Sequence, residues 1–457
     1  MNFEKDRLGY AFEGDYPESY DSTDLARLRT VLPQQIGQLG HGGATADDRL
    51  LGILIGRRCA NTGRAQIEPR TRRDGSVCLV ARGEVVLPAA EASLVERVID
   101  DFEPVLPAEL SGSASLRGDR LTTGGFLRLR QRQVAASQVD RVIDACAVRN
   151  VTAGPNYLAA LAAVSKGVGG PEPAPAPDTT AASGPGGAGR VVRVAVVDTG
   201  IPSDPRTDGW LTEVPRTGDN IDPLDALPAG RDGLLDYQAG HGTFVSGIIR
   251  RVAPQAEIRM YRAADSDGFA SDHDIAEAIL RAHDDGAQII NLSLGGRTTD
   301  DQAPPATAEA VATVQRESGG ATVIVAAAGN YGDGTRVWPA ALPGVEAVAG
   351  LTAYLLPSVW SSYGPDVRFS TVGEGIRSTF VPGVESPVFD PAPDVFGENP
   401  WAMWSGTSFA APQIAGAVAR ISYEEGLEPR AAVDKLDEYG KPIDGFGKAM
   451  RVLRGLD

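Results

Sequence analysis

Five apolar runs between residues 191 and 351, each ending in a turn or a polar residue and alternating with helical segments, restrict the possible folds more than any other feature. "VVRVAVVDTG" (191–200) is the first, a continuous β-branched run with no polar face. Such a run suits a strand buried on both sides of a parallel sheet. "AEIRMYRA" (256–263), "AQIINLSLGG" (287–296), "ATVIVAAAGN" (321–330) and "VEAVAGL" (345–351) continue the series, with "VRFSTVG" (367–373) after them. Between them, helices are expected from Ser271 to about Asp285, with Asp274 as capping partner, and over 309–319. Strand–helix alternation of this kind gives an α/β, three-layer αβα domain with a mostly parallel sheet. In such sheets functional groups collect beyond the carboxyl ends of the strands. Asp198, Asn291, Ser293 and Asn330 fall at or near those ends.

Upstream the rhythm changes. "SVCLVARGEVVL" (76–87), "GFLRLRQRQV" (125–134) and "VTAGPNYLA" (151–159) read as strands. Helices are expected over 91–105 and 137–148, and also near Asp24–Leu39 and Asp47–Arg58. The βαβαβ order over about 76–159 predicts a smaller α+β domain. The divisions are an acidic tail (1–21), this region (22–165), a Pro/Gly/Ala-rich linker (166–190) and the α/β domain (191–457).

The formal net charge of −17 argues against a nucleic-acid partner. No run of 18 or more apolar residues and no secretory signal are present, so no membrane association and a cytoplasmic location are expected. The three cysteines (Cys59, Cys78 and Cys146) form no CxxC and read as ordinary thiols. His273 and His283 read as surface residues, and neither a metal nor a cofactor is expected.

Four short strings carry chemistry: "VVDTG" with Asp198, "GHGTFVSGI" with His241, "AAAGN" with Asn330 and "GTSFAAP" with Ser408. Taken singly, each has an ordinary structural reading as strand end, helix residue, turn or helix cap. Taken together they supply what acyl transfer needs. A serine hydroxyl requires a base, the imidazole requires a carboxylate on its other nitrogen, and the oxyanion requires donors. Asn330 and the Ser408 N–H at a helix start would be those donors. Pro412 is expected in a first helical turn, and Ala410, Ala411, Ala415 and Gly416 permit close helix packing.

In the order "VVDTG", "HGT-VSGI", "VAP", "NLSLGG", "AAAGN", "WSSYGP" and "GTS-AAP--AG", residues 191–457 resemble the subtilisin-like serine proteases. The resemblance implies that Asp198 orients the base, His241 is general base then acid, Ser408 is the nucleophile and Asn330 completes the oxyanion hole. It implies that Ser293, Leu294, Gly295 and Gly296 pair with an extended protein or peptide substrate, with Gly268 in the opposite wall. Asp265 and Asp267 beside Gly268 are either solvated loop carboxylates or a preference for a basic substrate residue, and Val337 is a candidate for the specificity pocket. Phe244, Ser246, Phe409, Gln413 and Ile414 depart from the family strings HGTHVAG and GTSMAAPHVAG without removing a catalytic group. A loop that wraps a calcium ion in many secreted relatives is missing after His241.

The stretch 76–159 resembles the propeptides of these enzymes by order of elements. The implied partner of the active site is therefore the chain's own N-terminal region, as chaperone and inhibitor. "TAGPNYLAA" (152–160) would lie in the groove, with self-cleavage near Tyr157 or in the linker. The alternatives are a peptide-maturation protease or macrocyclase that keeps its N-terminal region for recognition, and a non-catalytic binding scaffold.

Overall fold

A computed structural model describes residues 21–40, 44–59, 65–95, 102–104, 122–123, 125–131, 137–161, 170–177, 191–228, 231–390 and 392–456. The acidic tail, except Asp21, and most of the linker lie outside them.

The chain enters through two helices, α1 (Ser22–Gly40) and α2 (Ala44–Cys59). Asp21 caps α1 by accepting the N–H groups of Thr23 at 2.7 Å and Asp24 at 2.8 Å, which satisfies first-turn donors. Leu28 and Leu32 of α1 pack with Met403 and Leu456.

The antiparallel sheet that follows contains β1 (Ile67–Thr71), β2 (Val77–Pro88), β3 (Phe102–Pro104), β4 (Thr122–Thr123), β5 (Phe126–Gln131) and β6 (Gly154–Ala160). Helix α3 (Ser137–Ala147) covers one face. Val139, Val142 and Cys146 close on Val85, Leu87 and Leu129 there. Residues 102–104, expected to end a helix, are instead the edge strand β3, paired to β5 through Glu103 and Arg130. Within 91–105, Ala89–Val95 is 3-10 helix and 96–101 lie outside the described residues. Beyond β6, a short strand β7 (Glu172–Ala174) is followed by the first strand of the second region.

That region has the predicted three layers. Its strands are β8 (Arg193–Asp198), β9 (Glu257–Arg262), β10 (Phe269–Ser271), β11 (Ile289–Leu292), β12 (Val323–Ala327), β13 (Val345–Leu351), β14 (Val367–Val372) and β15 (Ile376–Thr379). Shorter pieces follow: β16 (Gly383–Val384), β17 (Val395–Phe396), β18 (Trp401–Trp404), β19 (Lys441–Ile443) and β20 (Gly447–Ala449). The main sheet runs β19-β20-β14-β13-β12-β11-β8-β9, parallel throughout except for the β19–β20 pair.

The helices are α4 (His241–Val252), α5 (Asp272–Asp284), α6 (Pro305–Glu317), α7 (Thr407–Glu425) and α8 (Pro429–Tyr439). Strand alternation divides the core between them. Val194 and Val196 pack with Ile248, Ile249, Ala411 and Ala415 of α4 and α7. Ala195 and Val197 pack with Ile275, Ile279 and Ala310 of α5 and α6. Each such fully buried aliphatic side chain contributes about 1.5–3 kcal/mol, so both faces of the sheet must stay covered.

The two regions share a sheet and a core. β10 pairs antiparallel with β6, extending the N-terminal sheet with a strand of the α/β domain. Val86, Phe126, Ala159 and Leu161 belong to the same apolar cluster as α5 and α6.

Candidate active site

Asp198 ends β8 and His241 begins α4, both fully buried. Nδ1 of His241 lies 2.8 Å from Oδ1 and 3.0 Å from Oδ2 of Asp198. Oδ1 also accepts the Thr199 N–H at 2.8 Å, which holds the carboxylate toward the ring. A left-handed Gly240, with φ 81°, turns the chain into α4. Any side chain on Gly242 would meet the Gly200 carbonyl, so the close approach of α4 to the β8 end demands glycine there.

Ser408 is the second residue of α7. Pro412 lies in the second turn, not the first, and so deprives the Ser408 carbonyl of its intrahelical donor. The hydroxyl of Ser293 donates to that carbonyl at 2.8 Å and accepts from Asn291 Nδ2 at 2.9 Å. The proline, the two "NLS" side chains and the start of α7 thus form one device. Gly416 lets α7 reach α4, since a Cβ there would stand 2.8 Å from Val252 Cβ.

Asn330 stands beside the same helix start. Its Oδ1 accepts the Thr407 N–H at 2.9 Å and the Thr407 hydroxyl at 2.8 Å. That fixes the amide plane and leaves Nδ2 as the free donor end, next to a first-turn Ser408 N–H that has no intrahelical acceptor. Phe244 and Phe409, two of the departures from the family strings, touch each other at a centroid distance of 4.6 Å. Phe409 and Trp404 also flank the His241 ring at 5.4 and 5.5 Å. Gln413 donates to the Val372 and Phe409 carbonyls, each at 2.7 Å.

Sequence reasoning missed Asp222. Its Oδ2 accepts the Thr199 hydroxyl and the Gly240 N–H, both at 2.9 Å, and Thr199 Oγ1 accepts the Gly242 N–H at 3.1 Å. The carboxyl therefore ties the residue after Asp198 to both neighbours of His241. Burial pushes it up to about 6. An acid in "NIDPLD", some twenty residues before the histidine, carries no local signal of this role.

The groove beside Ser408 is filled by the chain itself. Ala160 exchanges both backbone hydrogen bonds with Gly295, at 3.1 and 2.9 Å, and the Leu161 N–H donates to the Gly268 carbonyl at 3.0 Å. The Ser408 hydroxyl faces the Leu161 carbonyl and, at 3.0 Å, the Ser293 carbonyl. His241 Nε2 has no hydrogen-bond partner among the described residues. No hydrogen bond therefore joins His241 Nε2 to the Ser408 hydroxyl.

Of the expected groove residues, Gly295 and Gly268 meet the inserted segment directly. A side chain on Gly268, whose φ is 89°, would strike Gln238. Gly296 pairs with Trp338 and lies under Leu158, whose carbonyl a Cβ would approach to 3.0 Å. Leu294 is fully buried in the core, so its side chain does not line the groove. Val337 is buried against Gly295 and Gly329.

Four expectations need correction. Residues 158–161 occupy the groove, whereas 154–157 form the interior of β6 against β2. Tyr157 is turned to the Thr299 hydroxyl, 3.3 Å away, and is not at Ser408. His273 is buried, not superficial, because the N-terminal sheet covers α5 and the Asn156 side chain accepts its N–H. Asp267 is not solvated either: the Arg58 guanidinium covers it.

His273, Asp274 and Glu277 bring ligand atoms within 4.8 Å of one another. Arg128, 3.2 Å from Asp274, supplies the positive charge there and holds that carboxyl far below its usual range, although desolvation opposes it.

These features define an α/β protein with a buried Asp–His pair and a serine at the carboxyl edge of a parallel sheet. The family model of the subtilases matches residues 189–433, and the chain belongs to that family. It is 32% identical over 250 residues to a "Thermophilic serine proteinase" of Bacillus sp. (strain AK1), covering 53% of this chain and 55% of that protein. It is 29% identical to a "Thermostable alkaline protease" of Halalkalibacterium halodurans, covering 51% of this chain and 57% of that one. The chain thus spans about half the length of these relatives. In fold it resembles fervidolysin from Fervidobacterium pennivorans (TM-score 0.53, 21% identity), covering 82% of this chain and 60% of that one. It also resembles the epidermin leader peptide processing protease of Staphylococcus aureus (TM-score 0.53, 18% identity), covering 82% of this chain and 97% of that one.

Proposed function

We propose that this chain is a serine endopeptidase that is made self-inhibited and processes itself. Ser408 Oγ attacks the scissile carbonyl while its proton passes to His241 Nε2, and Asp198 stabilises the imidazolium. Asn330 Nδ2 and the Ser408 N–H hold the oxyanion. His241 returns the proton to the leaving amine, leaving an acyl-enzyme. Water then attacks the ester, giving its proton to His241, which reprotonates Ser408.

The observation that carries this reading is the Leu161 carbonyl at the Ser408 hydroxyl, with the preceding residues paired to both groove walls. A strand entering this way is bound as a substrate is, so the N-terminal region acts as an intramolecular inhibitor. The bond cut in self-processing is the one after Leu161 or one within the next few residues. Gln35 favours a second reading, in which the N-terminal region persists as a recognition module. Its side chain donates to the Gly170 carbonyl at 2.8 Å and accepts from Ser405 Oγ at 3.0 Å, three residues before the nucleophile.

No helix among the described residues is long and apolar enough to cross a membrane, and we place the action in the cytoplasm, on protein or peptide substrates. The test is labelling of Ser408 by a serine-directed phosphonate together with peptide hydrolysis. Both are expected in the wild type and absent in Ser408→Ala; hydrolysis retained by the variant would remove Ser408 from this role.

A further inference from the structure

The acidic loop on one groove wall is not empty. Arg58, in the last turn of α2, places Nε 2.5 Å from Asp267 Oδ2 and one terminal nitrogen 3.0 Å from Oδ1. The same terminal nitrogen is 2.8 Å from Asp265 Oδ2. The guanidinium also lies over the Phe269 ring, with Cζ 5.4 Å from the centroid. The Arg58 and Asp267 side chains are 3% and 2% exposed. Two carboxylates and an aromatic face thus form a seat shaped for a planar cation.

The seat adjoins the position of a bound peptide. Phe269 is paired with Ala160, and the loop's Gly268 accepts from Leu161. Leu158 and Ala160, alternate residues on one face of the inserted strand, pack in one cluster with Phe269 and with Leu50 and Leu54 of α2. Ala160 offers only a methyl group on that face, and α2 supplies the cation from the side.

We propose that Asp265, Asp267 and Phe269 form a guanidinium-binding subsite, filled in cis by Arg58. A peptide substrate with arginine at the place of Ala160 fills it once α2 has left. This rests on the serine-peptidase reading above and names the substrate class for the same groove. The physical reason is asymmetric. Without Arg58, Asp267 has no other cationic partner among the described residues, and a nearly buried carboxylate left unpaired is costly. A substrate that restores a bidentate pair recovers that loss, and a neutral one does not.

The test uses the purified full chain, as wild type and with Arg58→Ala to empty the seat, and two fluorogenic pentapeptides that differ only in arginine or norleucine at the position matched to Ala160. Phosphonate labelling is followed in parallel. The arginine peptide is expected to show a kcat/KM at least about ten-fold higher, the scale of a charge-assisted bidentate pair. Asp267→Asn should bring the ratio toward one by slowing the arginine peptide. Should that variant not fold, Asp265→Asn, whose side chain is partly exposed, is measured in its place and should reduce the ratio. Equal rates in Arg58→Ala, or a ratio unchanged in the folded aspartate variant, overturn the subsite while leaving the peptidase reading intact. Absence of both labelling and cleavage overturns the peptidase reading and the subsite with it.

Discussion

The N-terminal region and the α/β domain bury their polar groups for opposite ends. In the α/β domain the buried polar network points at one spot. Asp198, Asp222, Thr199, Ser293 and Asn330 each hold His241, Ser408 or a neighbour of one of them in place. In the N-terminal region a buried carboxylate gathers charges, one of which reaches the other domain. Glu84, in β2, accepts from Arg128 at 2.8 Å, from Arg130 at 2.6 Å and from Asn156 at 2.7 Å. Arg128 then reaches across to Asp274 of α5. The apolar cores differ likewise. The α/β sheet is covered on both faces by its own helices, whereas the N-terminal sheet packs on α2 and α3 of its own region and also borrows α5 and α6. One region is complete and holds the Asp198–His241 pair and Ser408; the other is completed by docking, which also places its end in the groove.

The sharpest way to separate the two is to damage the chemistry alone. Asp198→Asn keeps the shape but presents the wrong tautomer of His241, and hydrolysis is expected to fall by about 10⁴-fold. The thermal transition should barely move; a comparable loss of stability would mean that the pair is structural. Next in size, Glu84→Ala leaves two arginines facing a buried gap. Loss of one partner of a buried pair costs about 3–5 kcal/mol. Urea unfolding should show that loss in the N-terminal region, with the α/β transition unchanged.

A smaller effect is expected from Ala160→Pro, which removes the N–H that donates to Gly295. Losing that hydrogen bond should speed phosphonate labelling of Ser408 by about ten-fold. No change would mean that the inserted strand does not guard the site.

The smallest is a pH effect on β7, which pairs with β18 through Glu172 and Met403. Burial, and then the nearby Asp394, push Glu172 up to about 8, with Arg27 opposing and Glu385 adding. Docking favours the protonated form. Its contribution is therefore full below the usual carboxyl range and is lost as pH rises through about 8. Proteolysis near residues 170–177 should become easier over that rise, and Glu172→Gln should flatten the dependence.

The α/β half was legible because its strands are buried on both faces and read as unbroken β-branched runs, and because strand ends carry the polar residues. Asp198 meets His241, and Asn330 meets Thr407 beside Ser408, at the strand ends where the four strings lie. What stayed hidden depends on partners far along the chain. Arg58 and Asp267 are 209 positions apart, and nothing local distinguishes their pairing from two solvated charges. β3 is three residues long, paired at an edge, and its surroundings mimic an amphipathic helix. β18, "WAMW", is too short to show a period, yet it anchors both β15 and β7. Asp222 acts only through backbone groups brought near by the fold.

The most direct test of the account is a time course of intact mass for the purified wild type and Ser408→Ala. The wild type is expected to lose an N-terminal fragment ending at Leu161 or within the next few residues, while the variant stays whole. If both stay whole, or both are cut alike, the segment at Ser408 is not a substrate of its own site and the self-processing account is wrong.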